Sequence, residues 1–222
     1  MCGRFNLTAP GEEIAAAFEL DEVPSLCARY NIAPSQPIAA VGFQPRTGRR
    51  GLAELTWGLA LRNAKPGERR LVNARAETAA ERPAFREAFR QRRCLVPATG
   101  FYEWEKRPGE KPRPWLFRLH DGALFAFAGL WEPPLEKGGR ATCLILTTEP
   151  NALAEKVHDR MPVILPREAY ARWLDPAADD ARALSALLEP FPDAAMTAYP
   201  VSTAVNSPAN DDASCVAPAP LP

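Results

Sequence analysis

Trp115-Leu-Phe-Arg-Leu-His-Asp-Gly-Ala-Leu-Phe-Ala-Phe-Ala-Gly-Leu-Trp131 decides the fold class. Its two halves, Trp115 to His120 and Leu124 to Trp131, are short, aromatic and apolar, which is the signature of strands. Asp121-Gly122 between them reads as a hairpin-type turn. Upstream, Cys94 to Trp104 is another strand candidate, and downstream Ala141 to Thr148 is a fourth. Four strand candidates thus follow one another with no regular helix between them. A doubly wound parallel sheet needs strand and helix to alternate, so the expected class is α+β with a mainly antiparallel, barrel-like core and flanking short helices.

Working outward, Gln36 to Phe43 and Leu52 to Leu61 read as strands around an Arg/Gly turn at Thr47 to Gly51, and Ala198 to Val205 reads as a last strand. Arg62 to Arg70 reads as a polar loop. Thr8-Ala-Pro-Gly-Glu-Glu before Ile14-Ala-Ala-Ala-Phe18 predicts a capped first helix. Pro83 to Arg92 predicts a short helix with Phe85 and Phe89 on one face. Asn151 to Lys156, Arg167 to Leu174 and Asp180 to Leu188 predict three more. There is no repeat and no clear linker. One domain over residues 1–206 is expected, followed by a loosely held Pro/Ala-rich tail over 207–222 with four prolines.

The 222-residue chain has zero formal net charge, yet the charge is unevenly placed. Up to His120 there are 20 Lys and Arg against 13 Asp and Glu; from Asp121 onward there are 7 against 14. Only five of the 27 cationic residues are lysines. Arg suits bidentate phosphate contact and stacking on bases, so a basic first half suggests a polyanionic partner, although a GC-rich coding bias also enriches Arg. The five cysteines (Cys2, Cys27, Cys94, Cys143, Cys215) are widely spaced, there is no CxxC, and His120 and His158 are the only histidines. That pattern argues against a zinc site and against a disulfide framework; no cofactor and no metal is expected. Without a basic leader or an 18-residue apolar run, a soluble cytoplasmic protein is expected, with no membrane partner.

The chain opens Met1-Cys2-Gly3-Arg4-Phe5. Removal of Met1 would leave Cys2 with a free α-amine and a thiol on adjacent carbons. Such an aminothiol condenses with an aldehyde to an imine, and the sulfur then closes a five-membered thiazolidine. The ordinary α-amine pKa of about 8 leaves some neutral amine at neutral pH. Glu103 lies within Gly100-Phe-Tyr-Glu-Trp104, where flanking aromatics can desolvate it toward acid/base use, or where it can simply face water on an alternating strand. His158 is a proton shuttle or a packed residue. Asn73 and Arg75 bind an oxyanion or phosphate, or cap the next element. Trp57 and Trp104 stack on bases or pack in the core.

Seven co-linear segments bring these residues together. They are Met1 to Phe5, Tyr30-Asn-Ile-Ala-Pro34, Thr56-Trp-Gly-Leu59, Asn73-Ala-Arg-Ala-Glu-Thr78, Cys94-Leu-Val-Pro97, Gly100 to Trp104 and His158-Asp-Arg-Met-Pro162. In this set and order the chain resembles the SOS-response-associated peptidase (SRAP) family, which crosslinks covalently to abasic sites in single-stranded DNA. The resemblance implies an α+β fold with a barrel-like core and a positively charged groove. It implies Cys2 as crosslinking residue with Asn73, Glu103 and His158 around it, and DNA contacts at Arg4, Trp57, Arg75 and Trp104, with Pro34 near the pocket. Its implied partner is single-stranded DNA containing abasic sites, met at the nucleoid, and a monomer is expected. The same family name also points to a second reading: a cysteine-dependent autopeptidase or hydrolase that frees Cys2 by removing Met1. A third reading is a non-catalytic nucleic-acid-binding module built on the basic first half.

Overall fold

The computed structural model describes residues 2–44, 47–60 and 70–219. In chain order its elements begin with β1 (Phe5–Leu7), α1 (Gly11–Phe18), β2 (Arg29–Ile32), β3 (Pro37–Gln44), β4 (Arg49–Trp57), β5 (Asn73–Arg75), α2 (Ala76–Ala79), α3 (Arg86–Gln91) and β6 (Arg93–Ala98). They continue with β7 (Gly100–Glu105), β8 (Arg113–Leu119), β9 (Phe125–Glu132), β10 (Thr142–Thr148), β11 (Met161–Pro162), β12 (Ile164–Leu165), α4 (Tyr170–Leu174), α5 (Ala181–Ser185) and β13 (Met196–Pro200). The class is α+β, as expected.

Two sheets organise the chain. One runs β13-β8-β7-β1-β2 and is antiparallel throughout. The other runs β11-β10-β4-β3-β6-β9-β12, and an extra pairing of β10 with β9 closes β10, β4, β3, β6 and β9 into a ring. The ring is mainly antiparallel, but β10 runs parallel to β4 and then to β5. Its inward and outward residues are both buried along β6, β9 and β10, because the first sheet and the helices cover its outside.

The sheets meet through aromatics. Phe5 of β1 sits edge-on to Trp57 at 5.2 Å and to Phe127 at 5.7 Å. Phe101 stacks on Phe117 at 4.9 Å and meets Phe127 at 6.2 Å. All five rings are essentially inaccessible to solvent, and truncating any one to Ala costs about 3–5 kcal/mol. This is the anchor that fixes the start of the chain against the ring.

Several expectations are corrected here. Cys94 to Trp104 is two strands in two sheets. The break is at Thr99, whose backbone N–H and hydroxyl both bond Asn6. Gly100 then lets the chain pass so close to β8 that a Cβ would lie 2.8 Å from a Leu116 methyl and 2.9 Å from the Phe117 carbonyl oxygen. Asp121-Gly122 is a turn with Gly122 at φ +70°, but not a hairpin: β8 pairs with β7 and β13, whereas β9 pairs with β6, β10 and β12. Arg49 to Gly51 lie inside β4 rather than in the preceding turn. Thr8 does not cap α1, whose N-cap is Pro10; its hydroxyl meets that of Thr99 at 3.1 Å. Asn151 to Lys156 forms consecutive turns, not a helix. Residues 61–69 lie outside the described residues, and with them most of the Arg62 to Arg70 loop and the end of the Leu52 to Leu61 strand.

The segment after Ser207 is also not loosely held as far as Ala219. Asp211 pairs with Arg29 and accepts from the backbone N–H groups of Tyr30 and Asn31. The Asn31 side chain donates to the carbonyls of Val205, Ser207 and Asn210. Cys215 is fully buried with Tyr102, Leu116, Val201 and Val205 in a small second core.

Candidate active site

β7 carries the site by alternation of its side chains. Phe101 and Glu103 point toward the ring, and Tyr102 and Trp104 point to the small second core. The register of β1 on β7 sets Phe5 opposite Phe101, and the Tyr102 N–H donates to the Arg4 carbonyl. Continued by two residues, that register places Gly3 opposite Glu103. The opening residues therefore lie along the carboxylate because Phe5 is anchored in the core.

Cys2 is fully buried, its thiol 3.7 Å from the Arg4 carbonyl oxygen. Asn73 Nδ2 donates to the Cys2 carbonyl at 2.7 Å. The other amide atom, Oδ1, is buried with no hydrogen-bond partner among the described residues. Glu103 is 4% exposed, and its Oε2 lies 3.9 Å from His158 Nε2. His158 Nδ1 accepts from the Arg160 N–H at 3.0 Å and lies 3.0 Å from the exposed Asp159 carboxylate. Thus Cys2, Asn73, Glu103 and His158, far apart in sequence, form one cluster.

Its electrostatics follow from burial. Desolvation pushes the Glu103 carboxyl up to about 7. Desolvation first, and the Glu103 charge second, raise the Cys2 thiol far above its ordinary range. His158 is lowered, again chiefly by desolvation. The cluster therefore holds a neutral thiol, an acid able to gain or lose a proton near neutrality, and an imidazole biased to its neutral form. A thiolate is disfavoured here, unlike at activated cysteine nucleophiles, which sit beside cations.

The expected DNA-contacting residues divide. Arg75 is exposed and shares a face of β5 with Asn73, flanking the buried Ala74. Pro34 is half-buried just beyond β2. Trp57 is corrected: it is fully buried, with its Nε1–H on the Val72 carbonyl at 2.9 Å and its ring against Phe5, so it is core and has no face to offer a base. Arg4 and Trp104 lie across the sheet from Glu103. Arg4 Nη1 donates to Asn31 Oδ1 and to the Val205 carbonyl, both at 2.7 Å. Its guanidinium is 5.8 Å from the Trp104 ring centroid, and Trp104 Nε1–H reaches Asn206 Oδ1 at 2.7 Å. Glu77 and Arg160, not singled out in the sequence, form a bidentate ion pair beside His158. They sit in two of the matched segments with opposite charge, and that complementarity was the available signal.

Among the described residues, no group of three or more His, Cys, Asp or Glu side chains is placed to hold a metal ion, and no helix is long and apolar enough to cross a membrane.

The family model described as "SOS response associated peptidase (SRAP)" matches residues 1–208. The chain is 41% identical to the abasic site processing protein YoqW of Bacillus subtilis over 95% of this chain and 96% of the relative. It is 29% identical to the abasic site processing protein YedK of Escherichia coli, over 98% and 100%. Among solved structures, a protein from Bacteroides thetaiotaomicron superposes with a TM-score of 0.83 at 27% identity, covering 98% of this chain and 100% of that one.

Proposed function

We propose, from the premise that this chain belongs to the SOS response associated peptidase (SRAP) family, that it processes abasic sites in DNA by forming a covalent thiazolidine with Cys2. The observation that carries this reading is the burial of Cys2 against Glu103 with Asn73 holding its carbonyl. Relatives named for abasic site processing support the lesion as substrate.

In the chain as encoded, the Cys2 nitrogen is an amide bonded to Met1. Loss of Met1 converts it to an amine. That amine attacks C1′ of the open-chain sugar aldehyde, giving a carbinolamine. Glu103 as the neutral acid protonates the departing hydroxyl, so water and an iminium form. The Cys2 sulfur then adds to the iminium carbon, and its proton returns to Glu103. One aldehyde, one amine and one thiol become one thiazolidine and one water, and Glu103 ends as it began. A carboxyl near 7 suits both transfers. His158 is placed to relay the proton to and from Glu103. Asn73 fixes the Cys2 backbone, and Arg75 is the exposed cation for a neighbouring phosphate. A single strand is the fitting substrate, because the sugar must reach a buried residue.

The autopeptidase reading needs Cys2 as a thiolate or a base beside it. Burial and the Glu103 charge oppose a standing thiolate, whereas Glu103 and His158 supply the base, so both readings draw on the same cluster and the assay separates them. The test is intact mass of protein mixed with abasic single-stranded DNA. Wild type is expected to lose Met1 and gain the mass of the oligonucleotide less one water. A crosslinking protein that retains Met1, or a normal stable adduct from Cys2→Ala, overturns the mechanism.

A further inference from the structure

We propose that Glu77 and Arg160 form a positioning clamp that holds His158 as its Nε2–H tautomer, with that proton facing Glu103. The Arg160 guanidinium makes a bidentate pair with Glu77, at 2.7 Å to Oε1 and 2.9 Å to Oε2. The same guanidinium donates to the Thr147 carbonyl at 2.6 Å. Thr147 lies in β10 opposite Arg75 of β5, and Glu77 is in α2, which follows β5 directly. One side chain thus ties the loop bearing His158 to β10 and to α2, the helix that directly follows the strand bearing Asn73. Two parallel charge-assisted bonds fix direction as well as distance.

The clamp acts through the backbone. With the Arg160 side chain held, its own N–H is held against His158 Nδ1 at 3.0 Å. A nitrogen that accepts this bond carries no proton, so the neutral ring keeps its proton on Nε2, the atom 3.9 Å from Glu103. Asp159 opposes this: its carboxylate is 3.0 Å from Nδ1 and favours a proton there. The charged groups acting on the ring are the chain's α-amine, Glu103 from β7, Lys106 beyond it, Glu149 and Glu155 across the adjoining cavity, and Asp159 on the same loop; the amine and Lys106 oppose its protonation. Most are acidic and would charge the imidazole; the Arg160 N–H is the contact that keeps Nδ1 bare.

The catalytic significance rests on the thiazolidine reading, but the tautomer does not, so the two fail separately. The experiment is 15N NMR of the imidazole in DNA-free wild type, Glu77→Gln and Arg160→Lys across pH. Wild type is expected to show the Nε2–H form and a titration midpoint below that of a free histidine. In both variants Nδ1 gains proton occupancy and the midpoint rises, because Asp159 then competes unopposed. Adding Asp159→Asn to Glu77→Gln should bring the midpoint back down. The Glu77 side chain is 43% exposed and lies outside the core, so Glu77→Gln leaves the core intact, and thermal melts check it. In parallel, adduct formation by Glu77→Gln should slow by roughly 10- to 100-fold, the scale of a misplaced catalytic group, with unchanged affinity for an intact single strand. Folded variants with wild-type tautomer and midpoint overturn the clamp. If wild type forms no adduct, the functional reading fails while the NMR still decides the clamp.

Discussion

The two faces of β7 do different work with neighbouring residues. On the ring side, Phe101 and Glu103 bury an aromatic and a carboxylate side by side, and the carboxylate is left with a proton affinity suited to chemistry. On the other side, Tyr102 and Trp104 close a small second core under residues 201–216, with Arg4 locked among them. One face holds a carboxylate raised by desolvation, while on the other the Arg4 guanidinium donates to Asn31 and Val205 from Nη1 and leaves its buried Nε without a partner among the described residues. A five-residue segment therefore encodes both a reagent and the packing that fixes its strand in place.

The largest expected effect belongs to the ring side. Cys2→Ala abolishes the heat-stable adduct, because no sulfur remains to close the ring; gel mobility after heating reads it. Next is Glu103→Gln, which keeps shape and removes the titratable group. Adduct formation should slow by about 10²–10⁴-fold, with binding of an intact strand unchanged. The same substitution has a stability signature. The folded carboxyl titrates near 7 and the unfolded one near its ordinary value, so the folded state holds the extra proton between them. Wild-type stability should fall relative to Glu103→Gln as pH rises through that window, by roughly 3 kcal/mol once both states are ionised. Below it the difference disappears. Denaturant melts of the Met1-bearing protein at several pH values measure this; a flat difference would mean that Glu103 is not desolvated.

Effects on the far side should appear as stability before chemistry. Arg4→Ala loses two hydrogen bonds from one charged nitrogen and a stacked ring, a loss of about 2–3 kcal/mol, readable as a lower melting temperature. Trp104→Ala should behave alike. If either leaves stability intact and instead weakens DNA binding, the division between the faces is wrong. The smallest effect is that of Arg75→Ala, which should flatten the slope of log affinity against log salt by roughly 0.7 on a single strand. An unchanged slope would move the strand's path away from Asn73.

Much of this was legible in the sequence because local pattern decides it. Short aromatic runs gave the strands, and Phe85 and Phe89 at helical spacing are both buried, one at the N-cap of α3 and one within it. Other features depend on partners that no local pattern names. A turn such as Asp121-Gly122 reports that the chain reverses, not which sheet receives it. Trp57 looks the same in sequence whether it stacks on a base or on Phe5. The residues after Ser207 looked loose because they are apolar-poor, yet Asp211 anchors them by accepting from Arg29 and two backbone N–H groups. Cys2, Asn73, Glu103 and His158 were each ambiguous alone, and only their meeting resolves Glu103 as desolvated rather than solvent-facing.

The burial of Cys2 has a consequence for the protein's lifetime. On the proposed thiazolidine route each adduct takes up one Cys2 thiol, so a molecule whose Cys2 sulfur is already oxidised forms no adduct. Oxidants and alkylating agents attack thiolates that they can reach. Cys27 is the exposed cysteine, whereas Cys2, Cys94, Cys143 and Cys215 are buried. Reagents in solution therefore meet Cys27 first, while burial keeps the Cys2 thiol protonated and out of their reach.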